Sequence, residues 1–192
     1  MKHIRVGFAI CGSFCTHSQA LGALEELCKV YTVTPILSES SASTDTRFGT
    51  CRELIRRVEA AAGRPALRTV KEVEPIGPKG LLDVLVIAPC TGNTLSKLAG
   101  GITDSAVTMA AKAHLRNGRP VVIALASNDG LSGSAANLGT LLNRKNYYFV
   151  PFGQDDPAHK PCSLIADFSR IGDTVEAALE KRQIQPMLLR ES

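Results

Sequence analysis

Three apolar runs, Ile4 to Cys11, Leu82 to Pro89 and Pro120 to Ala126, carry no alternation of polar and apolar residues. A strand with one wet face alternates with a period of two, whereas a strand covered on both faces reads as an unbroken aliphatic run. These three segments are therefore expected to be inner strands of a parallel sheet. Val30 to Leu37, where Tyr31-Thr-Val-Thr alternates and Pro35 interrupts, and Tyr147 to Phe152 are weaker candidates for two more strands. Helical periodicity fills the intervals. Ser18 to Lys29 places Leu21, Leu24, Leu27 and Cys28 on one face, and Arg52 to Ala62 places Leu54, Ile55 and Val58 on another. Further helices fit Thr94 to Ala99, Ser105 to Arg116, Ala136 to Asn143 and Asp173 to Arg182. Strand and helix thus alternate from end to end, which predicts a doubly wound α/β sheet between two helical layers. The segment Pro65 to Gly80, rich in Pro and Gly, is expected to be an irregular excursion within the fold.

Composition narrows the class. A chain of 192 residues with 44% hydrophobic content is expected to fold as a single domain over residues 1–192. The formal charge of +4 is spread without a basic run, and aromatic residues are 5% with no Trp, so a nucleic-acid partner is not expected. The longest apolar stretches, Val84 to Cys90 and Val121 to Ala126, fall far short of the roughly 20 residues that cross a bilayer, so no membrane association is expected. The N-terminal residues enter a strand pattern at once, without a signal-peptide core, which predicts a cytoplasmic protein. Six cysteines form no CxxC pair. They are expected to stay reduced and to pack as small apolar side chains, and no metal site is read from the sequence.

In an open parallel sheet the ligand sits beyond the carboxyl ends of the strands, where helix N-termini present free N–H groups. The first such loop, Cys11-Gly12-Ser13-Phe14-Cys15-Thr16-His17, offers a close backbone approach at Gly12 and hydroxyls at Ser13 and Thr16. It reads either as a phosphate cradle or as simple helix capping. It is not GxGxxG, so a mononucleotide is favoured over a dinucleotide, although Glu39 stands where a dinucleotide fold places its ribose-reading acid. The second loop, Ser38 to Arg47, is dense in hydroxyls. It fits a phosphate ringed by Ser38 and Ser40 with Arg47 supplying charge, or a mobile polar loop. The third is the most informative. Pro89-Cys-Thr-Gly-Asn-Thr opens one helix, Gly100-Gly101 breaks it, and Asp104 or Ser105 caps the next, so two helix N-termini converge on one strand end. Around these loops Lys97 is expected on a solvated face, Met109 in the core and Cys90 at the strand end. Asp155 and Asp156 are expected to form a turn before Pro157, and not a metal site with His159.

The run Pro89-Cys-Thr-Gly-Asn-Thr-Leu-Ser-Lys-Leu-Ala-Gly-Gly-Ile-Thr-Asp-Ser resembles the PASANT-type motif and following KxAxGIxDN segment of the FMN-binding, homo-oligomeric flavin-containing cysteine decarboxylases. Gly12-Ser13 and the Ser-rich loop ending Arg47-Phe48 are similar to that family's other two flavin loops. The likeness spans roughly residues 1 to 145. Further stretches, including Thr44-Asp-Thr-Arg-Phe-Gly, Glu74-Pro-Ile-Gly-Pro-Lys and Phe149-Val-Pro-Phe-Gly-Gln-Asp-Asp-Pro, resemble a dipicolinate-forming branch of the family.

The resemblance implies a flavodoxin-like three-layer sandwich with an FMN site near a subunit interface. At that site it implies Gly12, Ser13, Ser38, Ser40, Arg47, Thr91, Asn93 and Thr94 as flavin contacts. Arg47, Asn93 and Asn128 are then expected to meet a small dicarboxylate substrate. It further implies self-association as a trimer or a multiple of it, and a partner A subunit with a nicotinamide-binding, NAD(P)-dependent Rossmann domain. The implied activity is that of an oxidoreductase subunit, with oxidation of a dihydro- or hydroxytetrahydro-dipicolinate to dipicolinate in the mother cell of a spore-forming bacterium.

Departures from the family pattern bear on mechanism. No His stands between His17 and His114, where the decarboxylases carry a catalytic one, and their Pro-Met-Asn substrate clamp is replaced by Ser127-Asn128-Asp129-Gly130-Leu131. Thr91 and Gly92 stand in the two positions before the motif's Asn, a mild change that leaves Asn93 in place. Peptidyl-cysteine decarboxylation is therefore not expected. His17 and Asp129 are the candidate bases, with neither assigned. The same departures keep open a non-catalytic scaffold subunit that organises the dehydrogenase-like partner. A prenyl-transfer reading ranks last for want of a second basic pocket. The segment Gly153 to Pro161 is expected over the active site or at the contact with the A subunit.

Overall fold

The structure is a computed structural model that describes residues 4–189; the first three and last three residues of the expected 1–192 domain lie outside the described residues. Four parallel strands, β1 (Arg5–Ile10), β2 (Thr32–Leu37), β3 (Val84–Cys90) and β4 (Val121–Ser127), stand in the order β2-β1-β3-β4. A fifth, β5 (Tyr147–Phe149), runs parallel on the outer edge of β4. This is the doubly wound order of flavodoxin-like folds, in which the chain reverses direction across the sheet between β1 and β3. All seven residues of β3 are buried, as its unbroken apolar run predicts.

The helices are α1 (His17–Val30), α2 (Glu39–Ser43), α3 (Cys51–Ala62), α4 (Val70–Val73), α5 (Gly92–Gly100), α6 (Ala106–Leu115), α7 (Ala135–Leu142) and α8 (Ile171–Leu179). They fall into two packed groups. One joins α1 to α3 and α8; the other joins α6 to α4 and α5, and α5 to α7. The sheet and both groups enclose one continuous hydrophobic cluster centred on Phe8, Ile10, Leu24, Ile87 and Ile123.

Three expectations are corrected. The excursion Pro65 to Gly80 contains α4, opened by a capping box between Thr69 and Glu72, followed by a 3-10 turn at Glu74–Ile76. The expected strand Tyr147 to Phe152 is broken after Phe149. The outer edge of β4 is shared, with Val121 to Ile123 pairing β5 and Ala126–Ser127 pairing the antiparallel β7 (Leu164–Ala166). Pro151 has no N–H to continue a ladder, and the chain resumes as β6 (Phe152–Gly153) on β7. Finally, the polar loop after β2 is not loose at its start. Ser38 caps α2 by accepting from the Ser41 N–H, and Ser41 Oγ donates to the Ile10 carbonyl at 3.1 Å, which ties the second loop to β1.

At the opposite end of the sheet, Arg5 makes a two-pronged pair with Asp83 (2.9 and 3.0 Å), and Arg119 donates to the Leu82 and Gly80 carbonyls. His114, buried in the last turn of α6, faces the Pro120 carbonyl with Nε2 at 3.0 Å. These contacts close that end of the sheet and leave the carboxyl ends of the strands for ligands.

Candidate functional site

Beyond the carboxyl ends of β1, β3 and β4 lies a two-lobed cleft that straddles the β1/β3 reversal point. The larger lobe, about 860 Å³, is lined by Gly12, Ser13, Thr91, Asn93, Asn128 and Asp129, with Asp155, Lys160 and Cys162 on its far wall. The smaller, about 570 Å³, continues over Gly12, Ser38, Ser40, Asn93, Thr94 and Lys97. Both volumes are in the range of small-molecule sites.

The floor is knitted from the first and third loops. Thr91 has extended backbone and its hydroxyl accepts from the Thr94 N–H at 3.2 Å, which starts α5. Its hydroxyl also meets Thr94 Oγ1, which in turn reaches Cys11 Sγ at 3.3 Å. Burial pushes the Cys11 thiol up to about 11, and burial raises Cys90 well above the usual thiol range. Both are therefore neutral packing groups and not nucleophiles. Cys15 is exposed and Cys162 half-buried, both lining the larger lobe, and Cys51 is half-buried beside Asp45, so the expectation that every cysteine packs as an apolar side chain fails for these three. Replacing Thr91 by Val keeps the shape and removes the cap. Urea unfolding is expected to show a loss of about 1 kcal/mol.

The alternatives left open by the sequence now separate. Neither Ser13 nor Thr16 accepts a helix N–H; Thr16 Oγ1 donates to the Ser13 carbonyl at 2.8 Å. Simple capping therefore does not account for the first loop. Gly12 stands so close to the second loop that a Cβ there would lie 2.9 Å from Ser40 Oγ. Ser38 and Ser40 are both present, their hydroxyls 3.0 Å apart, with Ser38 largely committed to capping α2. Ser105, and not Asp104, caps α6, while Asp104 holds Lys97 Nζ at 2.8 Å. Lys97 thus faces the smaller lobe as half of an ion pair, not an open solvated surface.

Arg47 lies on the exposed Thr44 to Thr50 segment with its guanidinium 4.8 Å from the Phe48 ring centre. Phe48 lines the larger lobe; Arg47 lines neither. His17 lines neither lobe. Its Nε2 is 2.8 Å from the Cys11 carbonyl, its ring packs against Phe14, and burial lowers its pKa. Met109 packs on the core as expected. In the late segment Asp156 accepts from the His159 backbone N–H and Asp155 pairs with Lys160 at 3.2 Å. The two adjacent carboxylates therefore serve different partners.

One cluster is not legible in the sequence. Asp129 Oδ1 accepts from Ser127 Oγ and from Ser134 Oγ, the latter at 2.8 Å. These two hydroxyls hold its carboxyl below the usual range, so it is ionised near neutral pH. The cluster presses on Gly92, where a Cβ would lie 2.6 Å from Ser134 Oγ, 2.7 Å from Ser127 Oγ and 2.8 Å from Asp129 Oδ1. Gly92 and Ser127 to Leu131 are both places where the sequence departs from the decarboxylase pattern, and the structure brings them into contact. That coincidence, with Asp129 already a candidate base, is the hint the sequence holds; Ser134 belongs to no motif.

Comparison with known proteins agrees with this geometry. A family model described as Flavoprotein matches residues 1–179. The B subunit of dipicolinate synthase from Bacillus subtilis (strain 168) is 44% identical over 190 residues, covering 98% of this chain and 95% of the relative. A crystal structure of the B subunit of dipicolinate synthase from Bacillus halodurans C superposes with a TM-score of 0.90 at 43% identity, covering 98% and 97% of the two chains. An FMN-dependent cysteine decarboxylase shares the fold alone, with a TM-score of 0.68 at 23% identity over 91% of this chain and 97% of the other. With the parallel sheet, the loops at its β1/β3 reversal point and a match over most of its length, the chain belongs to the Flavoprotein family.

Proposed function

We propose that this chain is the B subunit of a dipicolinate synthase, an oxidoreductase that works with a dipicolinate synthase A subunit to oxidise a dihydro- or hydroxytetrahydro-dipicolinate to dipicolinate. The observation that carries this reading is the 44% identity to a dipicolinate synthase B subunit over 98% of the chain. The cleft supports it through its donor set. Backbone N–H groups at Gly12 and Ser13, the hydroxyls of Ser40 and Thr94 and the amide of Asn93 suit a phosphate and a polar ring edge, and Gly12 keeps open the space into which Ser40 reaches. These residues would hold FMN, which when bound supplies two-electron redox chemistry. Asn93 and Asn128, both lining the larger lobe, would orient a small dicarboxylate, and Arg47 would approach it from the exposed rim that carries Phe48. NAD(P) belongs in this reading to the partner's Rossmann domain. Self-association as a trimer or a multiple of it would cover the exposed Phe48 and Leu131, which are 54% and 51% accessible. The whole chain, residues 1–192, acts as one domain in the cytoplasm of the mother cell.

The test is a visible absorption spectrum of the purified chain, alone and after incubation with FMN, followed by turnover of the reconstituted two-subunit enzyme. A flavin spectrum perturbed by binding is expected, together with a fall of about tenfold in kcat/KM for Arg47→Ala, the loss of one charge-assisted hydrogen bond. No flavin binding together with full turnover by the A subunit alone would overturn the reading.

A further inference from the structure

We propose that Asp129, clamped by Ser127 and Ser134 against Gly92, is the group that selects a ligand bearing an N–H donor next to a carboxylate. The inference rests on the dicarboxylate reading of the cleft and names what that reading leaves open, the recognition of the ring nitrogen.

The carboxylate is built into the wall and does not swing freely. Oδ1 takes both serine hydroxyls, and Ser134 is 2% accessible, so its hydroxyl is a fixed donor. The Asp129 carbonyl accepts from the Ser132 and Ser134 N–H groups at 2.9 and 3.1 Å, which locks the backbone of the same turn. The turn is fastened to the far wall as well, because the Leu131 N–H donates to the Cys162 carbonyl at 3.0 Å and Gly130 lies against Leu164. Among the described residues no side chain donates to Oδ2. The residue lines the larger lobe, so an ionised acceptor faces a cavity whose other charged groups, Asp155 and Lys160, are paired with each other.

An ionised carboxylate in a ligand cleft repels carboxylates and neutral ring acceptors, and it rewards a donor that carries or shares positive charge. Lys160 supplies the complementary sign in the same lobe, held at 3.2 Å from Asp155. A ligand that places an amine or iminium N–H beside a carboxylate satisfies both walls at once. An aromatic pyridine dicarboxylate has no N–H to give and turns a lone pair toward Asp129. The site therefore favours the unoxidised ring, whose imine nitrogen carries N–H once protonated to the iminium, over the aromatic product, which aids release once the ring is aromatic.

The full chain, loaded with FMN, is titrated calorimetrically with two probes, piperidine-2,6-dicarboxylate, whose ring nitrogen carries N–H, and pyridine-2,6-dicarboxylate, whose nitrogen does not. The parent is expected to bind the piperidine probe more tightly. Asp129→Asn is expected to weaken it by about tenfold or more, the worth of one hydrogen bond to a charged group, and to leave the pyridine probe unchanged or tighter. Ser134→Ala, which keeps the charge and loosens its anchor, is expected to shift the same ratio in the same direction by a smaller factor. A merely structural role for Asp129 would weaken both probes together, and an unchanged ratio in both variants would overturn the proposal while leaving the dicarboxylate reading intact. Binding of neither probe by the parent would overturn both.

Discussion

Gly92→Ala is expected to lower stability by about 2 kcal/mol and to weaken FMN binding by about tenfold or more. Alanine is the better helix former, and in a helix interior the exchange gains about 0.8 to 1 kcal/mol, less at the first position of a helix. Against that stands the new methyl, which would lie 2.6 to 2.8 Å from three oxygens of Ser134, Ser127 and Asp129. Overpacking of this kind costs about 1 to 3 kcal/mol, and here the neighbours cannot retreat cheaply, because they hold one another by hydrogen bonds and Ser134 is buried. The steric term therefore wins. Relief comes by moving either the first turn of α5, and with it Thr91, Asn93 and Thr94, or the Asp129 turn; both line the larger lobe. Chemical denaturation and a flavin titration read the two effects. Ser134→Ala in the same chain removes the shortest contact and is expected to recover about 1 kcal/mol of the loss. A Gly92→Ala chain as stable as its parent and equally tight for flavin would show that the cluster does not brace the cleft.

The same residues show where sequence reasoning reaches and where it stops. The inner strands are legible because burial on both faces removes the polar alternation, and β3 and β4 start and end within two residues of the expected runs. The loops that build the cleft are legible as well, since a parallel sheet fixes which end of each strand carries them. The division of labour among the hydroxyls is not. Ser38 and Ser40 read alike in sequence, yet the geometry of α2 commits Ser38 to a cap and leaves Ser40 opposite Gly12. Lys97 reads as a surface lysine because its partner Asp104 sits seven residues on, beyond the glycine break. The late strand fails for a non-local reason, as the edge of β4 is shared between β5 and β7 and no local propensity encodes that sharing. The Ser127, Asp129 and Ser134 cluster is of the same kind. Its meaning depends on a glycine more than thirty residues earlier, brought across by the β3–β4 pairing.

Stability is expected to fall by roughly 3 kcal/mol between pH 6.5 and pH 4 through His114 alone. Its ring is buried against the sheet, and burial lowers its pKa to about 4 from the ordinary 6.5. The Pro120 carbonyl and Asp83 pull the value up, and Arg119 pulls it down, but desolvation outweighs them. A carbonyl only accepts, so Nε2 carries the proton of the neutral ring and donates it to Pro120. In the unfolded chain the ring takes up a second proton near pH 6.5; in the folded chain it resists until about pH 4. Between these values the unfolded state binds more protons, so stability is full above pH 6.5, declines as pH falls and levels off below about pH 4. At about 1.36 kcal/mol for each pH unit, the distance between the two pKa values accounts for the expected loss. The measurement is the urea midpoint at pH 7.0, 5.5 and 4.5 for the parent and for His114→Gln, whose amide still reaches toward Pro120 but does not titrate. The variant is expected to lose about 1 kcal/mol at pH 7 through imperfect packing and to show a much flatter pH dependence. Parallel curves for the two proteins would show that the pH sensitivity in this window does not come from His114; carboxylates such as Asp83 and Asp129, whose pKa values are lowered, bring their own losses only at more acid pH.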